Sequence, residues 1–232
     1  MHVSLVVPTL NERGSIIPLF QGLSDVAQAI RPRHDLDVIV VDDGSSDGTV
    51  EQVRRMSVPF PVHVIVRSER GLSTAVLEGF RQATGEVLGV MDADLSHPPA
   101  HLADLLVALE TVDVAIGSRS VPGGAVEEWP WYRKVASWCA TLFVRPLGVR
   151  VRDPMSGFFV LRREVMNGAP LSPIGYKILL EILVKGRIDS VREVPYVFRN
   201  REVGKSKMGT REGLNYLRHL ARLYRWKYLG AS

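Results

Sequence analysis

His2 to Thr49 reads HVSLVVPTLNERGSIIPLFQGLSDVAQAIRPRHDLDVIVVDDGSSDGT, and the change of period within it decides the fold class. His2 to Val7 is a short apolar run of strand length. Ile16, Leu19, Phe20, Leu23, Val26, Ala27 and Ile30 then recur at three- and four-residue steps, which predicts an amphipathic helix over Gly14 to Ile30. Pro32 stops it, and Val38 to Val41 begins a second apolar strand. Strand, helix and strand in that order make a βα unit, and the pattern continues. Strands are expected at Val62 to Val66, Val87 to Met91 and Val114 to Ile116, with helices near Thr49 to Met56, Thr74 to Ala83 and Pro99 to Leu109. The fold class is therefore α/β, a mainly parallel sheet flanked by helices in a single domain.

After Arg119 the rhythm breaks at Pro122, Gly123 and Gly124. An apolar and aromatic stretch follows from Trp129 to Leu147, then a strand over Ser156 to Leu161 and a buried helix over Tyr176 to Val184. A strand over Ser190 to Val197 leads into the loop Arg199 to Met208. The final helix, about Thr210 to Tyr228, carries Leu214, Leu217, Leu220, Ala221 and Tyr224 on one face.

With 232 residues, 46% hydrophobic and 23% charged, the chain can bury a sizeable core and is neither disordered nor fibrous. Its single cysteine, Cys139, excludes an intrachain disulfide and a thiolate metal cluster, and a reducing compartment is the simplest reading. Met1 to Pro8 lacks the features of a signal peptide, and no apolar run approaches the roughly 20 residues of a membrane span. The net charge of +4 is uneven: residues 185–232 carry 12 Lys/Arg against 4 Asp/Glu. That surplus suits a polyanionic neighbour or a solvated helix face equally well.

Open α/β sheets bind ligands at the carboxyl ends of their strands, where three polar clusters fall. They are Pro8-Thr9-Leu10-Asn11-Glu12, the run from Asp42 to Thr49, and Asp92-Ala93-Asp94-Leu95-Ser96-His97-Pro98. Asp35-Leu36-Asp37 is also an acid-x-acid triplet, but it lies before a strand and serves as an internal control. Asp92 and Asp94 follow a near-continuous apolar strand, where two close carboxylates repel unless a cation joins them. A magnesium-like ion suits so few ligands, because it fills its shell with water and phosphate oxygens. The run from Asp42 to Thr49 reads either as ordinary turn chemistry, with Asp47 as a helix cap, or as an acidic ledge for a base or ribose. No glycine-rich phosphate fingerprint follows the first strand, so a dinucleotide cofactor is disfavoured.

These clusters, in this order, resemble the donor half of the inverting family-two glycosyltransferases of GT-A fold. Gly117-Ser118-Arg119, Asp153 to Phe159, Gly175 to Glu181, and Arg201, Gly204, Ser206 and Lys207 narrow the resemblance to dolichyl- or polyprenyl-phosphate mannose synthases, from Val6 to about Gly209. The resemblance implies transfer of mannose from GDP-mannose to a polyprenyl or dolichyl phosphate, with Mg2+ or Mn2+. It places Pro8, Asn11, Glu12 and Asp42 at the guanosine, Asp92 and Asp94 on the metal, and Arg119, Arg133 and Ser137 at the acceptor phosphate. Arg201 and Lys207 would neutralise the leaving diphosphate from a lid, and Asp94, Arg119, Arg201 and Lys207 would carry catalysis. Residues 1–209 would form the catalytic domain, with donor and acceptor halves meeting near residue 119, and 210–232 the basic helix. Two departures stand out: Ser96 where many relatives carry glutamine, and Ser73 at a frequent glycine position.

A lipid acceptor implies a membrane approach on the cytosolic face. Trp129, Trp131, Tyr132, Trp138, Leu142, Phe143 and Val144, edged by Arg133, Lys134 and Arg145, would lie in the headgroup plane. The basic C-terminal helix, or a small membrane subunit, would add a second hold. Arg119 could instead pair with a carboxylate, and Arg133 could snorkel from a surface helix. Two other functions stay open: a UDP-glucose transferase on the same fold, and a nucleic-acid module, which explains the basic tail but not the acidic strand ends.

Overall fold

The computed structural model describes residues 1–127, 131–199 and 210–230, with the side chains of 131–136 and 210–212 outside that description. Four parallel strands, β1 (His2–Thr9), β2 (Asp35–Asp42), β3 (Val62–Val66) and β4 (Val87–Val90), form one side of the sheet. Beyond β4 the chain adds β5 (Val114–Ser118), a short β6 (Ala125–Val126), β7 (Phe159–Arg162), β8 (Val191–Pro195) and β9 (Val197–Phe198). The seven-stranded order is β3-β2-β1-β4-β7-β5-β8, in which β7 alone runs antiparallel to its neighbours. Strands β6 and β9 pair separately, in parallel.

Both faces of the sheet are covered, which is why its strands read as continuous apolar runs. Val3, Leu5 and Val7 of β1 join one core with the helices α1 (Arg13–Ile30) and α4 (His101–Leu109). Val6 joins the opposite core with α3 (Leu72–Gln82) and α6 (Ile178–Lys185). A Cβ added at Gly79 of α3 would lie 2.5 Å from a Val6 methyl, so only glycine allows this helix to approach the strand so closely. The short α2 (Thr49–Arg55) follows β2. Asp47 ties the starts of α1 and α2 together, accepting Arg13 N–H at 3.0 Å and Thr49 N–H at 3.0 Å.

A smaller core joins Val144, Leu147 and Val149 to Leu180 of α6 and to Leu220 and Leu223. It forms where α5 (Trp131–Val144) meets α7 (Thr210–Leu229). Tyr216, Tyr224 and Tyr228 of α7 donate their hydroxyls to the carbonyls of Ala140, Phe143 and Pro146. Burial pushes the Tyr216 hydroxyl up to about 12, with Tyr224 adding to it.

The element types follow the sequence closely, with three differences. Asp35-Leu36-Asp37 opens β2 instead of preceding it, because Asp37 is buried and accepts Ser4 Oγ at 2.7 Å at the rim opposite Asp92. The seventh strand starts at Phe159, not Ser156, since Ser156 Oγ donates to Gly117 O at 2.7 Å and accepts Phe158 N–H at 3.1 Å, holding a turn. On α7 the buried row runs through His219, Leu220 and Leu223, leaving Leu214, Leu217 and Ala221 exposed. His219 turns the helix inward: its Nε2 lies 3.3 Å from Glu181 of α6, a buried carboxylate that also accepts Lys185 at 2.6 Å.

Candidate active site

The register brings the three polar clusters to one rim. Thr9 at the end of β1 stands opposite Asp42 of β2, and Val6 opposite Val90, so Asp92 leaves the sheet level with Pro8. Asn11 sits at φ 57° and accepts Ser46 N–H at 2.9 Å, while its own N–H donates to Ser45 Oγ at 2.7 Å. Glu12 N–H donates to Thr49 Oγ1 at 3.0 Å. Asp42 is engaged by its neighbours at the rim. Fully buried, it accepts Thr9 Oγ1, Ser45 Oγ and the N–H groups of Gly44 and Ser45, within 2.6 to 3.1 Å. A carboxylate so engaged shapes the loop that carries the rim. The adjacent Asp43 is likewise committed, to Arg67 at 2.6 Å and to Gly71 N–H at 2.7 Å.

Asp94 is nearly buried, and its Oδ1 accepts Ser96 N–H at 3.1 Å and Ser96 Oγ at 2.5 Å. Leu95 between them adopts φ 63°, a conformation that costs a branched side chain energy and folds Ser96 back onto the carboxylate. Ser96, read as a departure, thus orients Asp94. Asp92 is a quarter exposed, and its N–H donates to His97 Nδ1 at 3.2 Å, which leaves the proton of the neutral ring on Nε2. His97 is itself buried in an aromatic box, stacked on Phe158 at 5.3 Å with the edges of Tyr196 and Phe198 at 5.6 and 5.8 Å. Sequence reading passed over His97, because only the tertiary structure shows the pairing of its ring with Asp92.

Gly157 packs against the same pair: a Cβ there would stand 3.0 Å from Asp92 Oδ2 and 3.3 Å from His97 Cε1. Gly157→Ala should displace the Asp92 carboxylate by a few tenths of an ångström and lower kcat by about 10 to 100-fold with little change in Tm. Steady-state kinetics beside a thermal melt checks this; wild-type kcat would show that Asp92 needs no exact placement.

Arg119 emerges from β5 into a bidentate pair with Asp153: Nε to Oδ2 and Nη2 to Oδ1, both 2.7 Å, with the Arg119 N–H also on Oδ2 at 3.0 Å. Burial acts to raise the Asp153 carboxyl, but the hydrogen bonds and charge of Arg119 outweigh it and hold it below its ordinary value. The guanidinium is shifted upward by the same pair, against the opposing effect of its own burial. Arg119 Cζ lies 5.3 Å from the Phe198 ring, so ring contacts link it through His97 to Asp92. Burial pushes the enclosed Tyr196 hydroxyl above its ordinary range. Behind the pair, Glu193 of β8 accepts Ser118 Oγ at 2.7 Å, Asp153 N–H at 2.9 Å and Arg152 N–H at 2.8 Å. No local signal marks Glu193 in the sequence, since its partners lie 40 or more residues away.

Arg119 also lines a cavity of about 620 Å³ against α5, with Ser137, Trp138, Thr141 and Leu142 on the facing wall. The structure thus brings Arg119 and Ser137 to one cavity. The Arg133 side chain, and Arg201 and Lys207 with the expected lid, lie outside the described residues. Among the described residues no group of three or more His, Cys, Asp or Glu is arranged to hold a metal ion. No helix there is long and apolar enough to cross a membrane.

Residues 4–168 match the model of the family described as glycosyl transferase family 2. The chain belongs to glycosyl transferase family 2. The chain is 46% identical to a dolichol-phosphate mannosyltransferase of Pyrococcus furiosus, over 98% of this chain and 65% of that one. It is 39% identical to a polyprenol monophosphomannose synthase of Mycolicibacterium smegmatis, over 97% of this chain and 87% of that one. Among solved structures, a glucosyl-3-phosphoglycerate synthase of Mycobacterium tuberculosis superposes with a TM-score of 0.66 at 20% identity, covering 97% of this chain and 80% of that one. That likeness establishes the GT-A fold of this family-two chain. The same synthase has been crystallised with Mn2+ or with Mg2+ together with UDP.

Proposed function

We propose that this family-two glycosyltransferase moves mannose from GDP-mannose to the phosphate of a polyprenyl or dolichyl monophosphate. The observation that carries this reading is the cavity lined by Arg119, Arg145 and Arg152, by the hydroxyls of Ser137 and Thr141, and by the apolar Trp138 and Leu142. An anionic head with a hydrocarbon tail fits that combination, and the mannosyltransferase names of the relatives agree with it.

In this reading Pro8, Asn11 and Glu12 border the guanosine, and Asp42 acts through the loop it shapes. Asp92 and Asp94 would hold Mg2+ or Mn2+; two hard carboxylates suit such an ion, which completes its shell with water and diphosphate oxygens. When bound, the ion would stabilise charge on the departing diphosphate. The acceptor phosphate has a second pKa of about 6 and arrives largely ionised, so its oxygen can attack the anomeric carbon without a base. Arg119, fixed by Asp153, orients that phosphate with Ser137 and Arg133 and offsets its repulsion from the donor. Attack from the face opposite the diphosphate inverts the anomeric centre. Arg201 and Lys207 would face the leaving group.

The acceptor reaches the cavity from a membrane surface on its cytosolic side. Trp138, Leu142 and Phe143 of α5 are more than half exposed, and the exposed leucines of α7 stand among Arg218, Arg222 and Arg225. Such faces enter a headgroup layer, whether the chain binds alone or with a small membrane subunit. One assay tests both parts: label from GDP-mannose should pass to polyprenyl phosphate in anionic vesicles that also sediment the chain at low salt. Transfer from UDP-glucose at a higher rate, or no sedimentation with any vesicle, would overturn the donor or the membrane assignment respectively.

A further inference from the structure

The acceptor cavity carries more cations than the family resemblance assigns to it. Among the described residues its lining contains three arginines, Arg119, Arg145 and Arg152, and no carboxylate. Asp153 matches the charge of Arg119 from behind. Arg145 donates Nη1 to the Arg150 carbonyl at 2.8 Å, a contact that orients its guanidinium without cancelling the charge. Its turn is held from α7, where Lys227 and Tyr228 donate to the carbonyls of Leu147 and Pro146. Arg152 is exposed, and its backbone is pinned by Glu193, whose carboxylate is distributed over three hydrogen bonds. Among the described residues of the cavity wall, Arg145 and Arg152 are therefore the arginines whose charge is not matched by a paired carboxylate.

We infer that Arg145 and Arg152 form a seat selective for a phosphomonoester dianion, holding the acceptor before transfer and weakening its hold on the product. The inference rests on the reading that this cavity receives the lipid phosphate. Before transfer the phosphomonoester bears about −1.5 to −2 charges. Its oxygen forms the new bond to the anomeric carbon while the bond from that carbon to the donor diphosphate breaks. The electron pair leaves with the nucleoside diphosphate, so one negative charge moves from the acceptor to the leaving group. What stays in the cavity is a phosphodiester with a single charge. Two guanidiniums attract that product less strongly than they attract the dianion. The same pair thus favours loading of substrate and departure of product.

Equilibrium binding to the full chain, followed by tryptophan fluorescence in neutral detergent, tests this with farnesyl phosphate and its methyl phosphodiester. The wild type should bind the monoester about tenfold more tightly, and Arg145→Gln with Arg152→Gln should erase that ratio while Tm and the affinity for GDP stay unchanged. An unaltered ratio in the double variant would overturn the inference alone. So would a loss of binding confined to vesicles of anionic phospholipid and absent in detergent, which would assign the arginines to the bilayer headgroups. Binding of neither compound to the wild type would remove the lipid-phosphate reading together with the seat, whereas transfer without preference for the dianion would remove only the seat.

Discussion

Asp94→Asn should lower mannosyl transfer by about 10³-fold while leaving the fold intact. The two effects separate because of how Asp94 is used. Its Oδ1 accepts both hydrogen bonds from Ser96, and an asparagine carbonyl can accept the same two. What asparagine lacks is the negative charge, which in the proposed reaction would help hold a divalent cation. Asp92→Asn should behave similarly, with a smaller loss if Asp94 provides the principal ligand. The check is kcat with saturating GDP-mannose and added Mg2+, beside a thermal melt without metal. Activity within about tenfold of wild type would remove Asp94 from the metal site.

Asp153→Asn should cost about 3–5 kcal/mol of stability and lower Tm by on the order of 10 °C. Arg119 is only 14% exposed, and without Asp153 its guanidinium is a buried charge with its bidentate partner removed. Breaking such a pair is more damaging than replacing both members, so Arg119→Met with Asp153→Leu should recover part of the lost stability but no activity. The pH dependence has a definite sign. The Asp153 carboxyl lies below its ordinary value in the folded chain, so its contribution is present above about pH 4 and disappears as pH falls through the depressed value. The stability gap between wild type and Asp153→Asn should therefore persist through mildly acidic pH and narrow only in strong acid. A gap that closes near pH 6 would show that some other group dominates.

Much of this architecture is legible in linear form. The alternation of apolar runs with three- and four-residue periods places all seven strands of the main sheet within a few residues, because strands covered on both faces leave continuous apolar stretches. The acid pair after the fourth strand is legible for the same reason, since carboxylates that follow a buried strand must lie at its exposed end. The amphipathic pattern of α7, by contrast, is borne out only in part: Leu220 is buried and Tyr224 packs against the same core, while Leu214, Leu217 and Ala221 are exposed. Leu214, Leu217 and Ala221 satisfy helical spacing, yet the buried row is selected by the His219 contact with Glu181 and by three tyrosine hydroxyls on α5 and the turn that follows it.

Local order along the chain was sufficient to specify an α/β sheet, its acidic rim and the position of Arg119, because each depends on neighbours only a few residues away. The pairing of Arg119 with Asp153, the support of both by Glu193, the seat of Asp92 on His97 and Gly157, and the cavity shared by Arg145 and Arg152 required the folded chain. Each joins segments separated by a strand or a helix, and burial and hydrogen bonding then decide which of several plausible polar groups face the ligand and which hold the backbone.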